Sequence, residues 1–354
     1  KSQADSLLSS ITVRRKTNSG AWNNVSRATY TYYVWNEEYG GQEDLKTVTT
    51  QQWTGSDWED TGTTYYRYHK SIQPDSSSSS SSGAGDGSLG DEHLIKYIIG
   101  PAAYARMIAD GITDPLTASD LQISYYADNY FEYDELRRAT KEVVKGGTET
   151  FLFEYETSEF EDDYNHWKTK TTETLPDGTQ RIVYSNFAGT TMLKVTKSGT
   201  DEWVEFFEYD SSARVTLLAT PAAVSGYDDT YADLLNKVDG KFQYLRDNAG
   251  LIRTYTRNAP TGWVASERVQ QGQSGDSILT HEFEYIPCDC CNNSSSSSSS
   301  AGGQPVYFLS RETRYPSATD PQETIVTTYD YTWYEGTCQV QERVTTLPVI
   351  AASQ

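Results

Sequence analysis

Polar and apolar residues alternate with a period of two through many short stretches of the chain, and each stretch ends in a polar turn. This pattern predicts half-buried strands joined as hairpins. The plainest case is residues 205–218, EFFEYDSSARVTLL. It reads as an alternating run, Tyr209-Asp210, a polar turn, Arg214 and a second apolar run. Similar text stands at 130–143, YFEYDELRRATKEV, where Tyr133-Asp134 leads to Arg138 at the same interval. Its first half returns as EFEY at 282–285. The intervals from Tyr133 to Tyr209 and from Tyr209 to Tyr285 are both 76 residues. Recurrence of one hairpin text marks an internal repeat.

The rest of the chain reads the same way. Strands are expected in 1–15, at 28–35 (ATYTYYVW), 45–53 (LKTVTTQQW) and 63–69 (TTYYRYH), with turns at Gly40-Gly41 and Thr54-Gly55-Ser56. Residues 91–110 give two apolar stretches about Gly100-Pro101, and 114–120 holds at most one short helical turn. Beyond the 130–143 hairpin, TFLFEY (150–155) and WKTKTTE (167–173) flank an acidic turn at 160–166. Pro176-Asp177-Gly178 and Asn186-Phe187-Ala188-Gly189 punctuate 175–196, since Pro presets φ and Gly accepts positive φ. Residues 227–238, YDDTYADLLNKV, are the clearest helix candidate, with acids early and Lys late. A hairpin about Asp247-Asn248-Ala249-Gly250 is expected over 241–256. Strands at 263–270, 277–286, 306–315, 325–334 and 338–346 complete roughly ten hairpins.

Two Ser/Gly-rich stretches, 76–90 and 294–304, divide the array into N-terminal hairpin units (1–75), a central array (91–293) and C-terminal units (305–354). Each stretch begins with seven serines. A solvated spacer is the plain reading; O-glycosylation and stand-in residues for an undetermined stretch are the alternatives.

Composition agrees with strands. The chain holds 27 Tyr and 8 Trp but only 2 Met, and long Ala/Leu/Glu/Lys runs are rare. The formal charge of −21 argues against nucleic-acid partners and anionic membrane surfaces. No apolar run approaches the roughly 20 residues that span a bilayer. The chain begins at Lys1, which fits either a removed signal peptide or a fragment.

Motifs of catalysis are lacking, so no enzyme activity, catalytic residue or cofactor is expected. His69, His93, His166 and His281 fall in no metal-binding spacing, and nucleotide and nucleophile-elbow texts are missing. Acidic pairs such as Asp162-Asp163 and Asp228-Asp229 read as solvated faces; structural calcium in a turn, for instance at Asp86-Gly87, is the alternative. Cys288, Cys290, Cys291 and Cys338 are disulfide candidates, with a soft-metal site as runner-up. Adjacent Cys290 and Cys291 seldom bridge each other, so the connectivity stays open. Sequons stand at Asn24, Asn292 and Asn293.

In the repeated text a strand-end tyrosine can pack on its neighbour, the aspartate can accept turn N–H groups, and the arginine can pair with an acid or an aromatic ring. These residues carry a resemblance. Tyr209-Asp210 through Ala213-Arg214-Val215-Thr216 resembles the unit of the YD-repeat (RHS-repeat) family of bacterial extracellular and surface proteins, with Ala213 where Gly is usual. Tyr133, Asp134 and Arg138 match similarly, with Arg137 at the Gly place; Tyr184 with Gly189 and Tyr244 with Gly250 match more loosely. The resemblance implies an all-β fold of consecutive antiparallel hairpins in a continuous curled or stacked sheet. Large family members close that sheet into a toxin-enclosing shell. The family's closing text follows neither Asp114-Pro115 nor Asp320-Pro321, so an open sheet or assembly-forming piece is expected. The function expected is that of an extracellular or cell-surface structural protein, assembling with identical copies through unpaired edge strands into a layer, shell or fibre. The alternatives are a segment of a toxin-encapsulating shell, and a carbohydrate- or surface-binding adhesin using Trp53, Trp58 and Trp263 as platforms.

Overall fold

A computed structural model describes residues 7–16, 20–35, 37–70, 93–288, 305–317 and 323–348. Both serine runs, Cys290, Cys291, Asn292 and Asn293 lie outside the described residues, as does Asp86-Gly87. The fold is all-β and antiparallel. The chain divides into two compact units: residues 1–154 with 172–179, and residues 155–171 with 180–354.

In the first unit, strands β1 (Ser10–Lys16), β2 (Trp22–Tyr32), β3 (Leu45–Trp53), β4 (Trp58–Tyr68), β5 (Ile95–Ile99), β6 (Asn129–Tyr133), β7 (Ala139–Val144) and β8 (Glu149–Thr157) pair antiparallel in chain order. Helices α1 (Pro101–Ala109) and α2 (Asp120–Ser124) interrupt them. They cover a core of Tyr33, Tyr65, Tyr97, Ile99, Met107 and Ile123. The second apolar stretch of 91–110 is therefore a helix rather than a strand. Pro101 opens it at a position where no amide donor is needed. The short turn expected in 114–120 forms at its start, where Thr117 N–H donates to Asp114 O, and α2 follows at Asp120, where Ser119 and Gln122 form a capping box.

In the second unit, β9 (Trp167–Thr174), β10 (Gln180–Asn186), β11 (Thr191–Ser198), β12 (Asp201–Tyr209) and β13 (Val215–Ala219) are followed by a short ribbon of β14 (Lys237–Val238) and β15 (Lys241–Phe242). The array resumes with β16 (Leu251–Arg257), β17 (Val264–Gln271), β18 (Ile278–Pro287), β19 (Tyr307–Arg314), β20 (Ile325–Trp333) and β21 (Val340–Thr346). Strand β13 pairs directly with β16. Alternation places Ile182, Tyr184, Val195, Val204 and Phe206 on one face. The segment 220–250 lies over that face and contributes Ala223, Val224, Leu234, Leu235, Phe242 and Leu245 to the core.

Two expectations fail in that covering segment. Residues 227–238 form turns, not a helix. Asp233 accepts from the amides of Leu235, Asn236 and Lys237, and Asp228 accepts from that of Thr230, so side chains take the bonds a helix would supply. Leu234 and Asn236 adopt positive φ, and Leu234 and Leu235, adjacent in sequence, are both fully buried. Nor do residues 241–256 form a hairpin: β15 pairs with β14, while β16 pairs with β13 and β17. The chain instead crosses itself at Gly250, whose φ is +78°. A Cβ there would lie 2.0 Å from the Ala223 nitrogen.

Gly250→Ala is expected to lower stability by more than the ~1 kcal/mol of an ordinary backbone effect, because both the φ value and the Ala223 backbone reject a methyl group. A urea midpoint unchanged from the parent would contradict this crossing.

Candidate functional site

The recurrent hairpin text builds one turn three times. Asp134 N–H donates to Arg138 O and Arg137 N–H to Asp134 O; Asp210 N–H donates to Arg214 O and Ala213 N–H to Asp210 O; Asn186 N–H donates to Thr190 O and Gly189 N–H to Asn186 O. The side-chain Oδ1 of each leading residue accepts two further amides: from Leu136 and Arg138 on Asp134, Ser212 and Arg214 on Asp210, and Ala188 and Thr190 on Asn186. The fourth residue of each turn is left-handed, with φ of 63° at Arg137, 60° at Ala213 and 77° at Gly189. Arg138 and Arg214 close the turn by donating from Nε, at 2.8 Å, to the second oxygen of Asp134 and Asp210.

Next to each turn the strand register slips by one residue, a β-bulge. The slips fall at Tyr32, Tyr68, Tyr133, Tyr209 and Tyr285, and the residues left over on the following strands are Lys46, Lys96, Thr140, Thr216 and Ser310. Slips of the same kind leave over Met192 and Ala265. A bulge leaves one residue without a ladder partner. Tyrosines of the next hairpins reach the carbonyl just before several of these residues, and at Thr216 Arg257 Nη2 takes that place on Val215 O. Tyr68 Oη donates to Leu45 O at 3.0 Å, Tyr133 to Ile95 O at 3.0 Å, Tyr285 to Val264 O at 2.7 Å and Tyr331 to Leu309 O at 2.8 Å. Tyr209 donates likewise to Thr191 O. Each tyrosine thus latches its hairpin to the one before.

Of the looser matches, Tyr184 sits one position before the place Tyr133 and Tyr209 occupy. It is buried in the core and donates to Asp229 Oδ2 at 3.1 Å, while Gly189 holds the left-handed turn position. The turn expected at Asn186-Phe187-Ala188-Gly189 is present, and Asn186 does in it the work of Asp134 and Asp210, an equivalence the sequence hides because an amide replaces the carboxylate. Tyr244 belongs to the covering segment and packs against the core, and Gly250 is the crossing point, so neither belongs to a turn of this kind.

A second polar cluster lies in the first unit. Arg67 is completely buried and donates to Tyr65 Oη (3.0 Å), Asp120 Oδ1 (2.7 Å) and Ala118 O, with its guanidinium 3.5 Å from the Tyr39 ring centroid. Burial alone would raise the Asp120 carboxyl, but hydrogen bonds from Lys96 and Arg67 hold it below its ordinary value. The cluster ties the 115–120 loop to β4.

Cys288 is bonded to Cys338, with Cα atoms 5.8 Å apart. A site of four thiolates is therefore ruled out, since these two sulfurs are oxidised. Closing a loop of 50 residues stabilises by about 4 kcal/mol on the chain-entropy estimate. Asn24 lies within β2, opposite Arg14. Trp53 and Trp58 pack edge to face at 5.2 Å, and Arg27 lies 4.6 Å from the Trp58 ring. Trp263 is 47% exposed. His69 Nε2 contacts Phe131 O, His93 bonds Asp44, His166 contacts Glu161 O, and His281 faces Glu267. Among the described residues no group of three or more His, Cys, Asp or Glu is placed to hold a metal ion, and no described helix is long and apolar enough to cross a membrane.

At the outer strands the pattern changes. Every residue of β1 is exposed, including Ile11 and Val13, and β1 pairs with β2 through a bulge between Val13 and Arg14. Strand β21 pairs with β20 through a bulge between Thr332 and Trp333, and six of its seven residues, Val344 among them, are exposed.

No family model matches the chain, and no curated protein matches it. It is similar to solved structures at low identity. A crystal structure of TcdB2-TccC3-Cdc42 is 12% identical with a TM-score of 0.28, over 86% of this chain and 14% of that chain. A Photorhabdus luminescens Tc holotoxin pore is 12% identical with a TM-score of 0.19, over 86% and 18%. A crystal structure of TcdB2-TccC3 is 11% identical with a TM-score of 0.18, over 92% and 21%. The chain thus spans about a fifth or less of the length of those chains.

Two measurements test the latch. Tyr285→Phe removes one hydroxyl and keeps the ring, and is expected to cost ~1 kcal/mol in urea unfolding; no loss would contradict it. The titration curve should fall at both ends. Asp210 is held below its ordinary value: burial would raise it, but amides of Ser212 and Arg214 and the Arg214 guanidinium outweigh burial. Its contribution is full above the unfolded carboxyl pKa and is lost as pH falls through the folded one. Tyr68 is pushed up to about 12, mainly by burial. Its contribution is full below the unfolded phenol pKa of about 10 and is lost as pH rises through the folded value. Asp210→Ala should shrink the acid limb, to which Asp120 and Asp134 still contribute, and leave the alkaline limb unchanged.

Proposed function

We propose that this chain is a non-catalytic, extracellular structural protein whose hairpin array joins other copies through its outer strands. The observation that carries the reading is the state of β1 and β21. Edge strands in proteins that remain apart are usually shortened, covered or guarded by inward charges. Here the first half of β1, ahead of the bulge that precedes Arg14, pairs in register with β2 and leaves Ile11 and Val13 exposed as apolar side chains. Backbone pairing along such an edge supplies affinity without a pocket. The net charge of −21 keeps the remaining surfaces apart, whereas β1 carries Arg14, Arg15 and Lys16. The disulfide fits an oxidising compartment.

A segment of a toxin-encapsulating shell is the second reading. It is favoured by the threefold recurrence of the turn led by Asp134, Asn186 and Asp210, which is the kind of repeat the family resemblance implies. On that reading the edges pair with further repeats of the same shell.

Sedimentation velocity across a concentration series separates the two readings. Copy-to-copy joining predicts species larger than the monomer, and a Val13→Lys, Val344→Lys double variant should weaken association at least about tenfold, or ~1.4 kcal/mol. A monomer at every concentration, checked by electron microscopy, would sink the proposal.

A further inference from the structure

We propose that a groove on the second unit binds a sugar bearing a carboxylate. The groove has a volume of about 560 Å³ and is lined by Arg214, Arg257, Trp263, Phe283 and Tyr285 among others. Its size falls in the range of small-molecule sites.

Arg257 is the reason to expect an anion. Its Nη2 donates to Val215 O, which fixes the guanidinium, while its Nε is buried and has no hydrogen-bond partner. No described carboxylate stands within ion-pair reach of it. Apart from that bond the guanidinium meets the Tyr255 ring, 5.9 Å to the centroid, and an orphaned buried donor costs roughly 1–3 kcal/mol until something accepts from its group. Arg214, by contrast, is neutralised by Asp210 and lies over Gly262, where a Cβ would meet its Nη1 at 2.5 Å. Glu267 also lines the groove, but Arg253 pairs with it, so its charge is countered.

Trp263 is the reason to expect a ring. It is 47% exposed and packs edge to face on Tyr285 at 5.0 Å. Tyr285 is itself fixed by its hydroxyl on Val264 O. The indole is therefore a held platform rather than a loose side chain. A uronic acid presents an apolar C–H face and a carboxylate on one ring, which matches a platform beside a fork of donors. Neutral sugars lack the charge, and an acidic peptide lacks the flat face.

Isothermal titration of the full chain with trigalacturonic acid, with its methyl ester, and with a glutamate-rich peptide tests this. The acid is expected to bind at least tenfold tighter than the ester, and to weaken as salt rises. Arg257→Gln should abolish that preference. Trp263→Ala, which leaves Arg257 and its bond to Val215 in place, should weaken the acid and the ester alike. Thermal melts confirm that each variant folds. Absence of binding, equal affinity for acid and ester, no effect of Arg257→Gln, or tighter binding of the peptide would each overturn the proposal.

Discussion

The fold depends on how backbone polar groups are satisfied where one hairpin meets the next. A tight turn strands amides, and a bulge strands a carbonyl. In this chain the two problems share one solution at adjacent residues. Asp134, Asn186 and Asp210 each accept two turn amides on one side-chain oxygen. The tyrosine beside an aspartate spans to the carbonyl at the preceding bulge, as Tyr133 does to Ile95 and Tyr209 to Thr191. A Tyr-Asp pair therefore faces two ways: its hydroxyl looks back one hairpin, and its carboxylate holds its own turn. Repetition follows naturally, since a hairpin makes the bulge that a tyrosine of the next one fills, or, at Val215, Arg257.

Much of this was legible in the sequence. Alternation located the strands, and the interval from Tyr-Asp to Arg marked the turns at Asp134 and Asp210. What alternation cannot show is register, so the bulges at Lys96, Thr216 and Ser310 were invisible. The acceptors of the tyrosine hydroxyls were hidden with them. Residues 227–238 misled because acids early and Lys late also describe a chain of Asx turns. Asp228 and Asp233 bond to nearby amides instead of to a helix dipole. Arg67 gave no local cue at all: its partners Ala118 and Asp120 lie some fifty residues along the chain.

Inside and outside obey different rules in this molecule. The buried face of β10–β12 is made of Ile182, Tyr184, Val195, Val204 and Phe206, sealed by a segment with little regular structure. That segment is ordered by side-chain caps and by one glycine crossing. Asn165 extends the same economy: it donates to Tyr209 O and accepts from Tyr209 N–H, closing the strand end as a neighbouring strand would. Ordered loops thus substitute for strands wherever the ladder stops.

The bond between Cys288 and Cys338 also changes how the chain would carry a mechanical load. Tension applied along the backbone reaches Cys288 and passes through the sulfurs to Cys338, bypassing β19 and β20. The chain between them, a sequence separation of 50 and on the order of 170 Å of contour when extended, is withheld from stretching while the bond is intact. The two strands remain a covalently closed ring, able to refold in place after the hairpins around them have been pulled straight.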